Sequence, residues 1–482
     1  MLLNSSVLFG TPNYVLMDPI HGAISFFKHE KRILDHPLFQ RLRYIKQTDI
    51  LDFVFPGTTH SRFEHCLGTM YVAGKIFRKM VTGYLGHDSG IILKRDEVHA
   101  IQYLYACLRM AALLHDVGCL PFSHQFEDST AGKKILKNKE IIKKLMSEMS
   151  TECLGQSLEH LTHEHYSVLC ACRICEDVKD SSDFPFEVED IVGMMEEAKC
   201  IPSESIALKV KSTIKLMSTV PALVEGYGQE EIIKILYSLF KDIISGEVDA
   251  DKMDYLLRDS YYSGSEYGSY NIHHLIQNMF LGFDLISSNP WVGIAIGHKG
   301  LGAFEDFVYS RFRMYLQIYN HKTVVGFKWL IHEAIYEILQ KTHYLSHIES
   351  ALSDINVFKN FTDTYLWEAF RQLAIEKPNS ACGRIVYRQR LPHIKAIKTQ
   401  RDHDVDREKR KLANERNIRV ISHHSSSKFS EINPNFDKIR LLTKNPDTGK
   451  REIDSIQNHS EFFHKFQNVL MTHFYEDPQF ER

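Results

Sequence analysis

His115 and Asp116 stand side by side at the end of an apolar run in which Met110, Leu113, Leu114 and Val117 recur at helical spacing, with Gly118 and Pro121 following. An imidazole and a carboxylate leaving one rigid point can hold a divalent ion and leave positions open for water and phosphate oxygens. A His-Asp dipeptide alone is more often a helix-terminal histidine beside a solvated carboxylate, so chemistry depends on what converges with it. Three other stretches carry suitable groups. His60, Arg62 and His65 lie close together, Thr162, His163 and Glu164 open a later segment, and Asp249, Asp251, Lys252, Asp254, Tyr255 and Asp259 crowd a third. At helical spacing Asp251, Tyr255 and Asp259 form one stripe with Lys252 beside it, so one aspartate could complete a metal shell while the others meet a polyanion. The ordinary alternatives are a core histidine at His65 and a salt-bridged helix face at 249–259. Tyr261, Tyr262, Tyr267 and Tyr270, interrupted by Gly264 and Gly268, favour instead a loop lining a pocket.

The elements that must position these groups are mostly helical. Residues Tyr14 to Asp18 and Ala23 to Phe27 predict a hairpin around a Pro-Ile-His-Gly turn. Asp35-His36-Pro37 then starts an amphipathic helix that carries Leu38, Leu42 and Ile45 inward and Gln40, Arg41, Arg43 and Gln47 on its polar faces. Ser61 and Glu64 have capping-box spacing and predict a helix to about Met80. Residues 133–155 form a polar helical stretch, Leu161 to His165 open another helix, and Phe304 to Leu339 make long amphipathic helices. Two short strands, 438–444 and 451–456, flank the turn 445–449, and a last helix starts near Ser460.

The length of 482 residues requires two lobes or a large helical domain with an appendage. A formal net charge of −3 supplies no global field for nucleic acid or anionic membrane, so any anion site is local. Dense mixed charge from Arg384 to Arg419 reads as a solvated surface, with nucleic-acid contact as the weakly supported alternative. Nine cysteines, an odd number without a secretory leader, point to reduced thiols and a cytoplasmic setting. The Cys170, Cys172 and Cys175 cluster continues an apolar helical pattern and reads as packing. No apolar run approaches the roughly 20 residues of a bilayer span, so no membrane partner is expected.

Taken together, the segments around His60–His65, His115–His124, Thr162–Glu164 and Asp249–Tyr255 resemble the HD-domain phosphohydrolases. The likeness is greatest to the SAM-and-HD-domain deoxynucleoside triphosphate triphosphohydrolases and their bacterial dNTPase and dGTPase relatives. It begins at the hairpin, runs through Phe39 to Gln47 and on to Tyr319–Lys322, and reaches faintly to Ile439–Asn445, with no segment before the hairpin long enough for a SAM domain. The resemblance implies a mainly α, HD-domain helical fold with a short N-terminal β-hairpin and a smaller α+β C-terminal lobe. The expected division is 1–345 for the metal-dependent hydrolase domain and 346–482 for a lobe making oligomer and regulatory contacts.

The same resemblance implies metal ligands at His65, His115, Asp116 and Asp251, for manganese, iron, magnesium or zinc. It implies phosphate contacts from Arg62, His124, Lys252, Tyr255 and Arg311, sugar contacts from Gln47 and Asp259, and a base stacked on Tyr319. Cys119 replaces a histidine usual in the family, which leaves His124 and His163 as acid candidates, with Glu127 able to orient an imidazole. Asn320 and Thr48 leave base and sugar preference open. The expected reaction is attack by metal-activated water on the α-phosphate of a deoxynucleoside triphosphate, releasing deoxynucleoside and triphosphate for nucleotide-pool control or phage defence. The resemblance further implies an activating nucleotide held between subunits of a tetramer or larger homo-oligomer by Asp35, Gln40, Arg43, Lys299, His321, Lys322 and Arg440. The rivals are a phosphohydrolase of an alarmone, cyclic dinucleotide or nucleoside monophosphate, and a nucleotide-sensing or nucleic-acid-binding module.

Overall fold

The structure is a computed structural model that describes residues 5–85, 93–148, 153–154, 158–180, 184–195, 229–284, 291–398, 402–424, 439–444, 451–460 and 471–478, with single positions 198, 203, 206 and 209. Helices make up most of it. The expected hairpin is present, Tyr14–Asp18 pairing antiparallel with Gly22–Phe26 so that Asp18 faces Gly22. Its turn needs a positive φ at Gly22, +71°, where a side chain would be strained, and Asp18 Oδ1 accepts the amides of Ile20 and His21 at 2.9 and 2.8 Å.

The single helix expected from Asp35 to Ile45 is broken. His36 caps a four-residue helix Pro37–Gln40, accepting from the Leu38 amide at 3.2 Å, and Arg41–Tyr44 continue as a 3-10 turn. The tighter winding accompanies the burial of Arg41. Its guanidinium donates to the carbonyls of Phe361 at 2.9 Å and Cys119 at 2.6 Å, partners that no local pattern could announce.

Next comes Arg62–Leu85, longer than expected, whose start is fixed by Glu64 accepting from the Ser61 amide at 2.6 Å. It packs along Arg95–Leu114, which is buried almost throughout from Ala100 onward and ends at His115. The polar stretch after Lys133 is helical over Thr130–Leu136 and Lys139–Glu148. Thr162 caps His163–Lys179, where Cys170, Cys172 and Cys175 are all buried as packing residues. Asp249 caps Ala250–Ser263, which stops at Gly264 in the left-handed region. Leu301–Met314 and Lys322–Leu339 follow, joined by a π-turn at Tyr315–Tyr319.

Two strands that the sequence reading did not anticipate, Met279–Asp284 and Trp291–Gly297, pair with each other. The second pairs in parallel with Arg440–Lys444, which in turn pairs with Arg451–Ser455 as expected. Residues after 345 thus complete a four-stranded sheet begun before it. A three-stranded sheet is formed by His393–Lys398, Met471–Glu476 and Val420–His424, with the 471–476 strand in the centre. Asp402–Arg416, the densely charged segment, is a surface helix that buries only Val405 and Leu412. The turn expected at 445–449 and the helix expected after Ser460 lie outside the described residues.

One buried ion pair ties the hairpin side of the fold to the Arg95–Leu114 helix. Arg109 donates to Glu30 through Nε at 2.6 Å and Nη2 at 2.9 Å, and also to the Ser25 carbonyl at 3.0 Å, while Glu30 accepts from the Phe27 amide at 2.8 Å. Glu30 is fully buried and Arg109 3% exposed. Removing one partner strands the other charge in a low-dielectric setting, so Glu30→Ala should cost ~3–5 kcal/mol of folding free energy, read from urea unfolding. Loss within experimental error of zero would show that the site rehydrates.

Candidate metal centre and substrate cavity

Three of the four expected metal ligands converge, and the fourth, Asp116, stands beside them. One nitrogen of His65, one of His115 and a carboxylate oxygen of Asp251 all lie within 4.8 Å of one another. Asp116 Oδ2 is 3.8 Å from His65 Nε2 and 3.6 Å from His115 Nε2. His65 sits in the first turns of Arg62–Leu85, His115 and Asp116 follow Arg95–Leu114, and Asp251 lies in the first turn of Ala250–Ser263.

Both imidazoles are oriented through their other nitrogen. His65 Nδ1 meets the Asp254 carboxylate at 2.8 Å, and His115 Nδ1 meets the Ala112 carbonyl at 2.9 Å. Ionised Asp254 and the Ala112 carbonyl only accept, so both Nδ1 atoms carry protons, and each Nε2 would offer its lone pair to a bound cation. His65 Nε2 lies 2.9 Å from Asp251 Oδ1, and His115 Nε2 lies 3.7 Å from the same oxygen. Two imidazole nitrogens facing carboxylates are a donor set that fits a divalent cation with mixed nitrogen and oxygen ligands.

With no cation between them, the carboxylates hold both imidazoles above their ordinary values against the opposing effect of burial. Burial opposes ionisation of Asp116, but Arg62, which donates to its Oδ2, and the two histidines hold it well below the usual carboxylate range. Burial likewise opposes charge on Asp251, and its histidine neighbours overcome it. At Asp254, burial is outweighed by Arg258, His21 and His65.

A cavity of about 1070 Å³ opens beside this cluster and is lined by His115, Asp116 and Asp251. Every expected catalytic and substrate residue also lines it: Gln47, Arg62, His124, Glu127, His163, Lys252, Tyr255, Asp259, Arg311 and Tyr319. His163 Nδ1 lies 2.8 Å from Glu127 and 3.2 Å from Glu164, and the His124 ring stands edge-on to it with centroids 4.8 Å apart. Burial disfavours the charged imidazole of His163, but the two glutamates raise it above its ordinary value. Cys119 is buried, does not line the cavity, and has its thiol pushed well up by burial.

At the cation-rich side, Lys252 donates to Asp249 at 2.7 Å and to the Gly246 carbonyl at 2.8 Å. Burial pushes Asp249 up to about 7, Lys252 opposing and Asp251 adding to the rise. Arg311 is 4% exposed with its Nε unpartnered. Tyr319 donates to Asp259 at 2.5 Å, and Asp259 also meets His60 Nε2 at 2.7 Å. Gln47 Oε1 and Thr48 Oγ1 are buried cavity-wall acceptors without partners.

The residues expected to hold an activator stand elsewhere. Asp35 pairs with Lys31, Gln40 accepts from Arg43 at 2.8 Å, and the Arg43 guanidinium covers the Phe63 ring at 3.6 Å. His321 caps Lys322–Leu339, Lys299 is exposed, and Arg440 faces Ala295 in the four-stranded sheet. None of the seven lines the cavity. The pocket-lining role expected for Tyr261, Tyr262, Tyr267 and Tyr270 is not found, because none of them borders it. Tyr262 stacks on His60, and Tyr270 donates to the Met253 carbonyl at 2.7 Å.

Sequence reading missed the support and the far wall. Asp254 follows Asp251 by three residues, which was the available signal, but nothing linked it to His21. Asp49, Gln125, Lys328, His332 and His423 also line the cavity. Gln125 bridges Asp49 at 3.0 Å and His332 at 3.2 Å. These residues come from separate segments and share no motif.

Residues 62–209 match the family model described as HD domain. The chain is 30% identical over 362 residues to the deoxynucleoside triphosphate triphosphohydrolase SAMHD1 of Bos taurus, covering 73% of this chain and 53% of that protein. It is 28% identical over 358 residues to an uncharacterized protein of Methanocaldococcus jannaschii, covering 73% of this chain and 56% of that one. The chain thus spans about half the length of the curated relatives it matches. Among solved structures, a phosphohydrolase from Bacteroides thetaiotaomicron shares the fold, with a TM-score of 0.61 at 18% identity, over 97% of this chain and all of that one. No helix among the described residues is long and apolar enough to cross a membrane. Residues 62–209 thus match an HD domain within a mainly helical chain whose His/Asp cluster could hold a metal ion.

Proposed function

We propose that this protein is a metal-dependent deoxynucleoside triphosphate triphosphohydrolase. The observation that carries the reading is one cavity lined by His115, Asp116 and Asp251, with His65 beside them, by the His124, Glu127 and His163 group, and by Lys252, Tyr255 and Arg311. A monophosphate substrate would have no use for the last three. The likeness to a relative named for this activity supports the same reading.

A divalent cation held by the four ligands supplies water activation and charge neutralisation at the α-phosphate. The rest falls to the chain's own groups. Arg62 steers Asp116, while Arg311 and Lys252 offset phosphate charge, and Tyr255 contributes a phenol donor beside them. His163, kept protonated by Glu127 and Glu164, gives its proton to the departing 5′ oxygen, with His124 adjacent as the other acid candidate. Gln47 and Asp259 meet the sugar, and Tyr319, its hydroxyl anchored on Asp259, offers its ring to the base. Manganese, iron, magnesium and zinc all suit the donor set. Nucleotide activation through Asp35, Gln40, Arg43, Lys299, His321, Lys322 and Arg440 between subunits of a homo-oligomer belongs to the same proposal.

Incubation of metal-loaded protein with each dNTP, with products resolved by chromatography, tests the reaction. Deoxynucleoside and intact triphosphate are expected; primary release of di- or monophosphate nucleotide would instead favour a phosphohydrolase of another nucleotide. Lys252→Ala and Arg311→Ala should lower turnover at least tenfold and leave metal content unchanged. His115→Ala and Asp116→Ala should lose metal and hydrolysis together, measured by elemental analysis, with far-ultraviolet circular dichroism unaltered. Full metal occupancy in both would remove this centre from the mechanism.

The pH dependence has a definite sign. A general acid whose value is raised works below that value, so the rate should fall as pH rises through the His163 titration. Glu127→Gln removes one cause of the raise and should move the falling limb to lower pH. A limb that stays in place would exclude His163 as the acid.

A further inference from the structure

Helix His163–Lys179 carries a second chemistry that the hydrolytic reading leaves unused. The Sγ atom of Cys172 lies 3.0 Å from that of Cys153, and the two residues are 2% and 5% exposed. A disulfide requires about 2.05 Å, so closure asks the two sulfurs to approach by about 1 Å. We propose that Cys153 and Cys172 form a reversible dithiol–disulfide pair, a redox modification site that latches the segment leading into the His163 helix.

The placement gives the bond a consequence. The cross-link would close residues 153–172 into a ring that contains Thr162, His163 and Glu164. Leu161 already bonds through its amide to the Leu136 carbonyl at 3.0 Å, and Thr162 caps the helix. The disulfide adds a covalent tie at the other end of this turn and so restricts the motion open to His163.

The oxidation needs a two-electron acceptor, and a small peroxide is the class that can enter so buried a site. One thiol ionises and its thiolate attacks a peroxide oxygen, which breaks the O–O bond and gives a sulfenic acid and hydroxide, and the hydroxide takes up the proton that the thiol released to become one water. The second thiol displaces that oxygen as a second water, and the S–S bond forms. Two thiols and one hydrogen peroxide thus become one disulfide and two waters.

The test treats the full chain with hydrogen peroxide, alkylates the remaining thiols after unfolding, and maps the peptides by mass spectrometry. A Cys153–Cys172 peptide lacking two hydrogens is expected, accompanied by a higher thermal midpoint, both reversed by dithiothreitol. Cys172→Ala should abolish both effects, whereas Cys170→Ala, a comparable change in the same helix, should keep them. Alkylation of both cysteines after peroxide treatment, a cross-link to any other cysteine, or arrest of either thiol at sulfinic acid would overturn the proposal.

Discussion

The carboxylate of Asp254 is the contact on which the centre depends. It is fully buried and meets His65 at 2.8 Å, His21 at 2.7 Å, and Arg258 through both Nε and Nη2 at 2.9 Å. Arg258 extends the network to Asp18 at 2.8 Å, so the hairpin turn, the His65 helix and the Ala250–Ser263 helix are fastened at one point. A charge so deep is tolerated because each lone pair has a donor; with any donor missing, desolvation would favour protonation or unfolding. The arrangement also dictates Gly68, where a Cβ would come within 1.7 Å of Asp254 Oδ1. The outcome is a fixed His65 ring whose Nε2 lies 2.9 Å from Asp251 and 3.8 Å from Asp116.

The loops on the other side of the cavity are held from a distance. Asp363 accepts from the Lys46 amide at 2.9 Å and the Phe122 amide at 2.7 Å, pinning the Gln47 and Ser123 loops together. Phe122 and Ser123 have φ of 55° and 53°, left-handed values that cost non-glycine residues energy and persist only where surrounding contacts over-determine them. Here those contacts are visible: Ser123 donates to the Lys46 carbonyl at 2.8 Å and accepts from Arg62 at 3.2 Å. Gly118 contributes closeness instead. A Cβ there would lie 2.0 Å from the Ser167 nitrogen, so the turn after His-Asp can rest on the His163 helix only as glycine. Metal ligands and acid candidates therefore sit on elements in direct backbone contact.

Much of this was legible along the chain because it is local. The hairpin, the Ser61–Glu64 start, the helix opening at Leu161 to His165 and the 440–455 strand pair each follow from a few neighbouring residues, and the structure has them. The helix broken at Arg41 and the strands 279–297 were not legible. Arg41 is decided by carbonyls some 80 and 320 positions away, and the strands gain their meaning from pairing with Arg440–Lys444.

The same division applies to the site. By itself the sequence determined which residue types were available at helix ends, and the resemblance carried by its motifs pointed to residues that the structure brings close together, His65, His115 and Asp251 in one cluster and the expected substrate contacts along one cavity. Only the tertiary structure decided that His65 and His115 would have their Nδ1 atoms taken by Asp254 and Ala112, that Glu127 would reach His163, and that Asp49, Gln125, Lys328 and His332 would wall the far side. The physical reason is that spacing fixes direction within one helix, whereas hydrogen bonds between residues as far apart as His21 and Asp254 exist only once the helices have packed.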